Sequence, residues 1–241
     1  MRYSLLVLLT WLVKSPLVAC PSCNKELNER IYNDSFYPNL FITLSAFWVL
    51  AILVILLIVL TLKSYKKNLS VNQEVKAFTP VPLITASMIL GIGLGGLIDG
   101  IVLHQILQWH EMFSNQIPTS DYIGKSVNMF WDGIFHAFCF LVILTGVVLL
   151  WKLLGRENIN RSGKIFAGGL LTGWGLFNIV EGIIDHHILK LHNVVEVSMD
   201  HDSGNFIFLG MSVLIIIAGY LLIKNDRRKL KTFFFINHLN F

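Results

Sequence analysis

The chain has 241 residues, of which 54% are hydrophobic and 14% charged, against roughly 25% charged in an ordinary soluble domain. With a mean hydropathy of +0.65, this composition excludes a soluble enzyme and points to an integral membrane protein. The formal net charge of +4 does not signal nucleic-acid binding, because the basic residues stand in short clusters beside apolar segments, where they orient helices.

Residues 1–19 have the layout of an export signal: Arg2, an apolar stretch over 4–13, Lys14, and a small-residue exit at Leu17-Val18-Ala19. Leu-Val-Ala-Cys also has the form of a lipobox, which would make Cys20 a lipidated N-terminus. Cys20 and Cys23 form a Cys-Pro-Ser-Cys pair suited to thiol redox or metal capture if Cys20 stays unmodified. Residues 20–78 are expected to hold a short outer segment, one membrane helix over 39–62 and a cytoplasmic linker. Further apolar runs at 81–108, 127–150, 165–189 and 205–223 are each long enough to cross a hydrocarbon core, and all read as helices because an open sheet leaves its backbone unsatisfied in lipid. A basic tail follows over 225–241.

Thirteen Lys and Arg residues fall on the side holding the connections after the first, third and fifth runs. Only Lys25, Arg30, Lys125 and Lys190 fall on the other. The positive-inside rule then puts the C-terminus in the cytoplasm and Cys20 outside. The expected fold is an all-α integral membrane protein: a duplicated helical hairpin over 79–224 forms a four-helix bundle, preceded by one extra transmembrane helix and the signal segment.

The duplication is read from two gapless matching segments. Residues 91–110, GIGLGGLIDGIVLHQILQWH, align with 173–192, GWGLFNIVEGIIDHHILKLH, in the same direction, the pattern of a parallel repeat related by an axis along the membrane normal. Asp99 pairs with Glu181, His104 with His186, and His110 with His192. Ionisable side chains inside a span cost roughly 2.5–3.5 kcal/mol each on insertion scales, so a doubled set calls for a physical reason.

At 100° per residue, His104 shares a narrow stripe with Gly93, Gly96 and Gly100, and His186 one with Gly175, Asn178 and Gly182. Small residues permit close approach, so the two repeat helices are expected to touch along these stripes and bring His104 and His186 together near the outer surface. The acids Asp99, Glu181 and Asp185 fall on a different face. Asp132 and His136, four apart on the next helix, join the same layer.

Imidazoles with carboxylates in a dry layer suit copper, zinc or iron, and a symmetric histidine pair suits a haem. Buried ion pairing that merely fixes helix register is the bland alternative. On the metal reading His104 and His186 are primary ligands and His136 a third; Asp132, Asp99 and Glu181 orient rings or accept protons; His110, His192 and His187 form an entry relay. His201 and Asp202 are expected in an outer loop as accessory groups, and His238 in the tail has no role. Gly91-x-Gly93-x-x-Gly96 matches a dinucleotide fingerprint only in letters, since no strand precedes it. Trp109, Trp131 and Trp174 fit packing or interfacial positions, and Cys139 a small core position.

The blocks GLIDGIVLHQILQWH, DGIFHA and GLFNIVEGIIDHHIL resemble the bacterial predicted-membrane-protein family known as domain of unknown function 2243, over about 80–223. The resemblance implies a multi-pass protein of the bacterial inner membrane. It marks Asp99, His104, His110, Asp132, His136, Glu181, Asp185, His186, His187 and His192 as motif positions, and suggests copper or haem handling beside respiratory-oxidase assembly factors. Two other functions use the same residues: a membrane-embedded zinc hydrolase, in which a metal activates water, and a proton-coupled small transporter, in which the acids form an ion path between repeats.

Overall fold

The computed structural model describes residues 24–69, 80–155 and 160–239. The export signal and the Cys20–Cys23 pair lie outside the described residues. Among the described residues all regular structure is helical. The helices are α1 (Lys25–Ile31), α2 (Phe36–Thr43), α3 (Ser45–Leu69), α4 (Val81–Ile98), α5 (Tyr122–Leu154), α6 (Gly163–Glu181) and α7 (His201–Leu239). Two π-helical turns, Asp99–Ile106 and Gly182–Ile188, continue α4 and α6 without a break.

Among the described residues, four stretches are long and apolar enough to span a membrane: Val81–Ile106, Tyr122–Leu154, Gly163–Ile188 and His201–Asp226. The run expected at 39–62 is not straight. Phe36–Thr43 and Ser45–Leu56 meet at 47°, and together they make a fifth span only if the bent pair is counted as one. The other helices begin where local chemistry allows. Prolines occupy the first turn of α4, where a missing N–H costs nothing. Asp121 and Ser162 cap α5 and α6 by accepting from the amides of Gly124 at 2.7 Å and Ile165 at 3.2 Å. The Asp121 cap starts α5 five residues before the apolar run, and α7 starts at His201, so His201 and Asp202 are helical rather than in a loop.

The core is built from close helix approaches that glycine makes possible. A Cβ on Gly91 would run into the carbonyl of Leu170, and one on Gly173 into that of Met88, so α4 and α6 meet backbone to backbone there. This corrects the expected contact. The stripe Gly93, Gly96 and Gly100 faces Ile143, Cys139 and His136 of α5, while Gly175 and Gly182 face α7 at Ser212, Ile216 and Leu209. The stripe on α4 closes against α5 and that on α6 against α7, while α4 and α6 meet on a separate row where Gly91 lies against Leu170, Gly95 against Trp174, Gly169 against Ser87 and Gly173 against Met88. Trp131, Phe135, Cys139 and Phe177 fill the space between α4, α5 and α6, with Phe47 of α3 packed on Phe135 and Phe177.

Replacing Gly173 with Val is expected to cost about 1–3 kcal/mol, the penalty for overpacking against groups that cannot yield. Thermal unfolding in detergent reads this as a lowered Tm. Gly133→Ala, where an added Cβ meets nothing within 4 Å, should leave the Tm unchanged or slightly raised.

Candidate metal centre

The ends of α4 and α6 change hydrogen-bonding period at the acids. Over Asp99–Ile106 and Gly182–Ile188 the backbone pairs i with i+5. In an α-helix, residues five apart lie on different faces. In a π-helix they stack, so Asp99 comes under His104 and Glu181 under His186. The expectation that acids and histidines occupy different faces is therefore corrected. His104 Nε2 lies 3.2 Å from Asp99 Oδ2, and His186 Nε2 lies 2.8 Å from Glu181 Oε1.

Both turns end alike. Leu107 N–H donates to the Val102 carbonyl and Leu189 N–H to that of Ile184; Trp109 N–H donates to Leu103 and Leu191 N–H to Asp185. Gln108 and Lys190 then turn left-handed, with φ of 49° and 51°, a conformation costing roughly 1–2 kcal/mol for a residue with a side chain. That turn throws the next segments inward across the helix ends.

There the two connections exchange hydrogen bonds. His110 Nδ1 donates to the Val194 carbonyl at 2.9 Å, and His192 Nδ1 donates to the Met112 carbonyl at 3.0 Å. Asn115 N–H donates to Leu191, and Glu196 N–H to Trp109. The returning helices hold the same segments from the other side. Met112 N–H donates to Asp132 of α5 at 3.0 Å and Val194 N–H to Asn205 of α7 at 2.9 Å; Phe113 N–H donates to Asn128 at 2.8 Å.

The result is a buried cluster of four imidazoles. Ring centroids are 4.4 Å apart for His104 and His110, 4.5 Å for His110 and His192, and 4.8 Å for His186 and His192. His110 and His192, expected as an entry relay, sit at its centre because the left-handed turns fold them back over the helix ends. The Nδ1 protons of His104, His110 and His192 are committed, the first to Asp132 at 2.8 Å. Nε2 of His104 and of His110 is left without a hydrogen-bond partner. One atom from each of His104, His110 and His192 lies within 4.8 Å of the others, and Glu181, His186 and His192 make a second such trio.

The Nε2 atoms of His104 and His186 and Oδ2 of Asp99 find no hydrogen-bond partner although carboxylate and ring stand close. Proximity without a proton's linear geometry is what two ligands of one metal ion show: bond lengths of about 2.0–2.1 Å and tetrahedral angles place neighbouring donor atoms roughly 3.3 Å apart. His192 Nε2, by contrast, donates a hydrogen bond to Glu181 Oε1 at 3.2 Å.

Outside the spans, burial and then the neighbouring imidazoles hold His110 well below the usual imidazole range, keeping it neutral and able to ligate. Burial pulls His192 down as well, but the hydrogen bond and charge of Glu181 overcome it and leave it raised. Burial raises Glu111 above the carboxylate range despite Lys125 at 3.7 Å.

Two expected members stand apart. His136 is bonded by the Gln105 amide at 3.3 Å and packs on Gly100, and His187 donates to the Gly182 carbonyl beside Phe206. Neither belongs to a trio. Sequence reasoning missed Ser45, whose hydroxyl donates to Asp185 at 3.0 Å from the break between α2 and α3, and Glu111, buried with one oxygen unpartnered. Two polar residues flanking Leu44 in an otherwise apolar run, Thr43 and Ser45, were the available signal for the first.

Fold and cluster together define a multi-pass helical membrane protein with a buried histidine and carboxylate centre at one end of its spans. The chain belongs to a family described as predicted membrane protein (DUF2243), whose model matches residues 86–226. No curated protein and no solved structure matches it.

Asn128→Ala is expected to leave the Phe113 amide unpaired, at a cost of about 1–3 kcal/mol. Hydrogen exchange at Phe113 should speed up accordingly, while Ser126→Ala, whose hydroxyl bonds only its own helix at Tyr122, should change nothing there.

Proposed function

We propose that this protein binds a first-row transition metal through His104, His110, His186 and His192 with Asp99 and Glu181, and that it handles this metal at the outer face of the membrane. The observation that carries the reading is a buried cluster of four imidazoles in which His104 and His110 have Nδ1 fixed as donor and Nε2 without a partner, while Nε2 of His104 and His186 stand 3.2 and 2.8 Å from the carboxylate oxygens of Asp99 and Glu181 without a hydrogen bond. A ring whose Nδ1 proton is held by a carbonyl or carboxylate is oriented for a metal at Nε2. Asp132 acts behind His104 in this way, and the carbonyls of Val194 and Met112 act behind His110 and His192.

A bare ion is favoured over haem because the four rings pack on one another at 4.4–5.9 Å, a spacing that leaves no slot for a macrocycle. Register-fixing ion pairs alone do not account for the unpartnered nitrogens. The excess of basic residues on the opposite side supports an outward-facing centre and a cytoplasmic C-terminus. We read the core as two copies of one hairpin, supported by the exchange of hydrogen bonds between His110 and Val194 and between His192 and Met112. Service to respiratory-oxidase assembly is the role within this reading that the family resemblance suggests.

The test is metal affinity of the purified protein for Zn(II), Co(II) and Cu(II). The double change His110→Ala and His192→Ala should abolish binding, and Asp132→Asn should weaken it by about 10–100-fold, the usual effect of removing a group that orients a ligand. His136→Ala and His187→Ala should bind like the parent. Parent-like affinity in the His110 and His192 double variant would overturn the reading.

A further inference from the structure

We infer that Glu111 is the ligand through which a divalent cation passes between the outer face and the histidine cluster, and that the Lys125 ammonium holds its place while no cation is in transit. The inference rests on the metal-binding reading above and extends it to the route. Glu111 is buried, and its Oε2 has no hydrogen-bond partner. Its Oε1 lies 3.7 Å from Lys125 Nζ, an ion pair too long for a hydrogen bond. A buried carboxylate is costly unless it is both paired and hydrogen-bonded. One loose ion pair therefore leaves Glu111 able to exchange its lysine for a stronger cation.

Glu111 connects two environments. Lys125, near the start of α5, keeps 40% of its side chain exposed, so its head can move into water. Its ammonium donates to Oε1 of the exposed Gln108 at 3.1 Å. Besides Lys125, the groups whose charge reaches Glu111 are Asp132 and His104, which are joined to each other at 2.8 Å. In the chain Glu111 follows His110, whose Nε2 is also unpartnered. Yet Glu111 belongs to neither of the close trios of donor atoms, so it stands beside the resident site and not in it.

The second half shows that the connection needs no acid at this position. Extending the gapless alignment by one residue sets Glu111 against Asn193. The Asn193 amide is engaged at both ends: its nitrogen donates to Asn115 and Glu196, and its oxygen accepts from Asn205. Glu111 has instead an unpartnered oxygen and a distant lysine. Lysine suits a placeholder, being a point charge on a flexible stem that an arriving divalent cation repels toward solvent.

The experiment is a pair of rate measurements on the full chain in detergent: Co(II) uptake followed by stopped-flow absorption, and release of bound Co(II) into excess EDTA. Glu111→Gln is expected to slow both, uptake by about 10-fold or more, the lower end of what a charged entrance contributes to capture of a counter-ion. Lys125→Met is expected to speed both. If Glu111 acted only as a nearby charge that stabilises the bound ion, release would change with the opposite sign, faster without Glu111 and slower without Lys125. That pattern, or parent-like rates in both variants, would overturn the inference and leave the metal reading intact. Lys125→Met, on a half-exposed residue, decides the matter where Glu111→Gln does not fold. Absence of Co(II) binding by the unsubstituted protein would overturn the metal reading itself, and the route with it.

Discussion

The centre depends on a change of helical period. Had α4 and α6 continued as α-helices past Asp99 and Glu181, each acid would lie well around the helix from the histidine five residues on. The π-helical hydrogen bonding of Asp99–Ile106 and Gly182–Ile188 turns that spacing into a stacked pair. π-helical turns are rare and weaker than α-helix, and they recur at functional positions. Here the same device occurs on both helices, at matching places, and both are followed by left-handed residues that reverse the chain. Two local distortions of one kind, each costing free energy, are retained where they bring imidazole and carboxylate together.

The second constraint is mutual. Each connection supplies the carbonyl that fixes the other's central histidine: Val194 for His110, Met112 for His192. Neither ring is oriented by its own half. Asp132, Asn128 and Asn205 then tie these connections to the returning helices through backbone amides, so the position of the cluster is set by the bundle beneath it.

Much of this was legible in the sequence. Composition and run lengths gave the membrane class and four of the spans, and gapless alignment of 91–110 on 173–192 matched the acid and histidine positions that converge in the fold. A fixed 100° per residue placed Asp99 away from His104 and Glu181 away from His186. The stripe of Gly93, Gly96 and Gly100 is present, but spacing does not say which helix a stripe meets, and it packs on α5; His110 and His192 were read as an entry relay because nothing in the sequence marks the left-handed turns at Gln108 and Lys190. Single residues do not advertise a π-turn, since its cause is tertiary. Ser45 was missed because the apolar run 39–62 carries no strong breaker, although the chain bends by 47° there. His136 was placed in the layer by its spacing from Asp132 on α5, where it accepts from the Gln105 amide, and His187, inside the second π-helical turn, donates to the Gly182 carbonyl.

The central claim, that imidazole Nε2 atoms from both halves ligate metal, is tested most directly by X-ray absorption at the metal edge of Zn-loaded protein. The account predicts a first shell of nitrogen and oxygen at about 2.0–2.2 Å, with the outer-shell scattering of at least two imidazole rings. A sulfur shell at about 2.3 Å, or oxygen neighbours with no ring scattering, would contradict it.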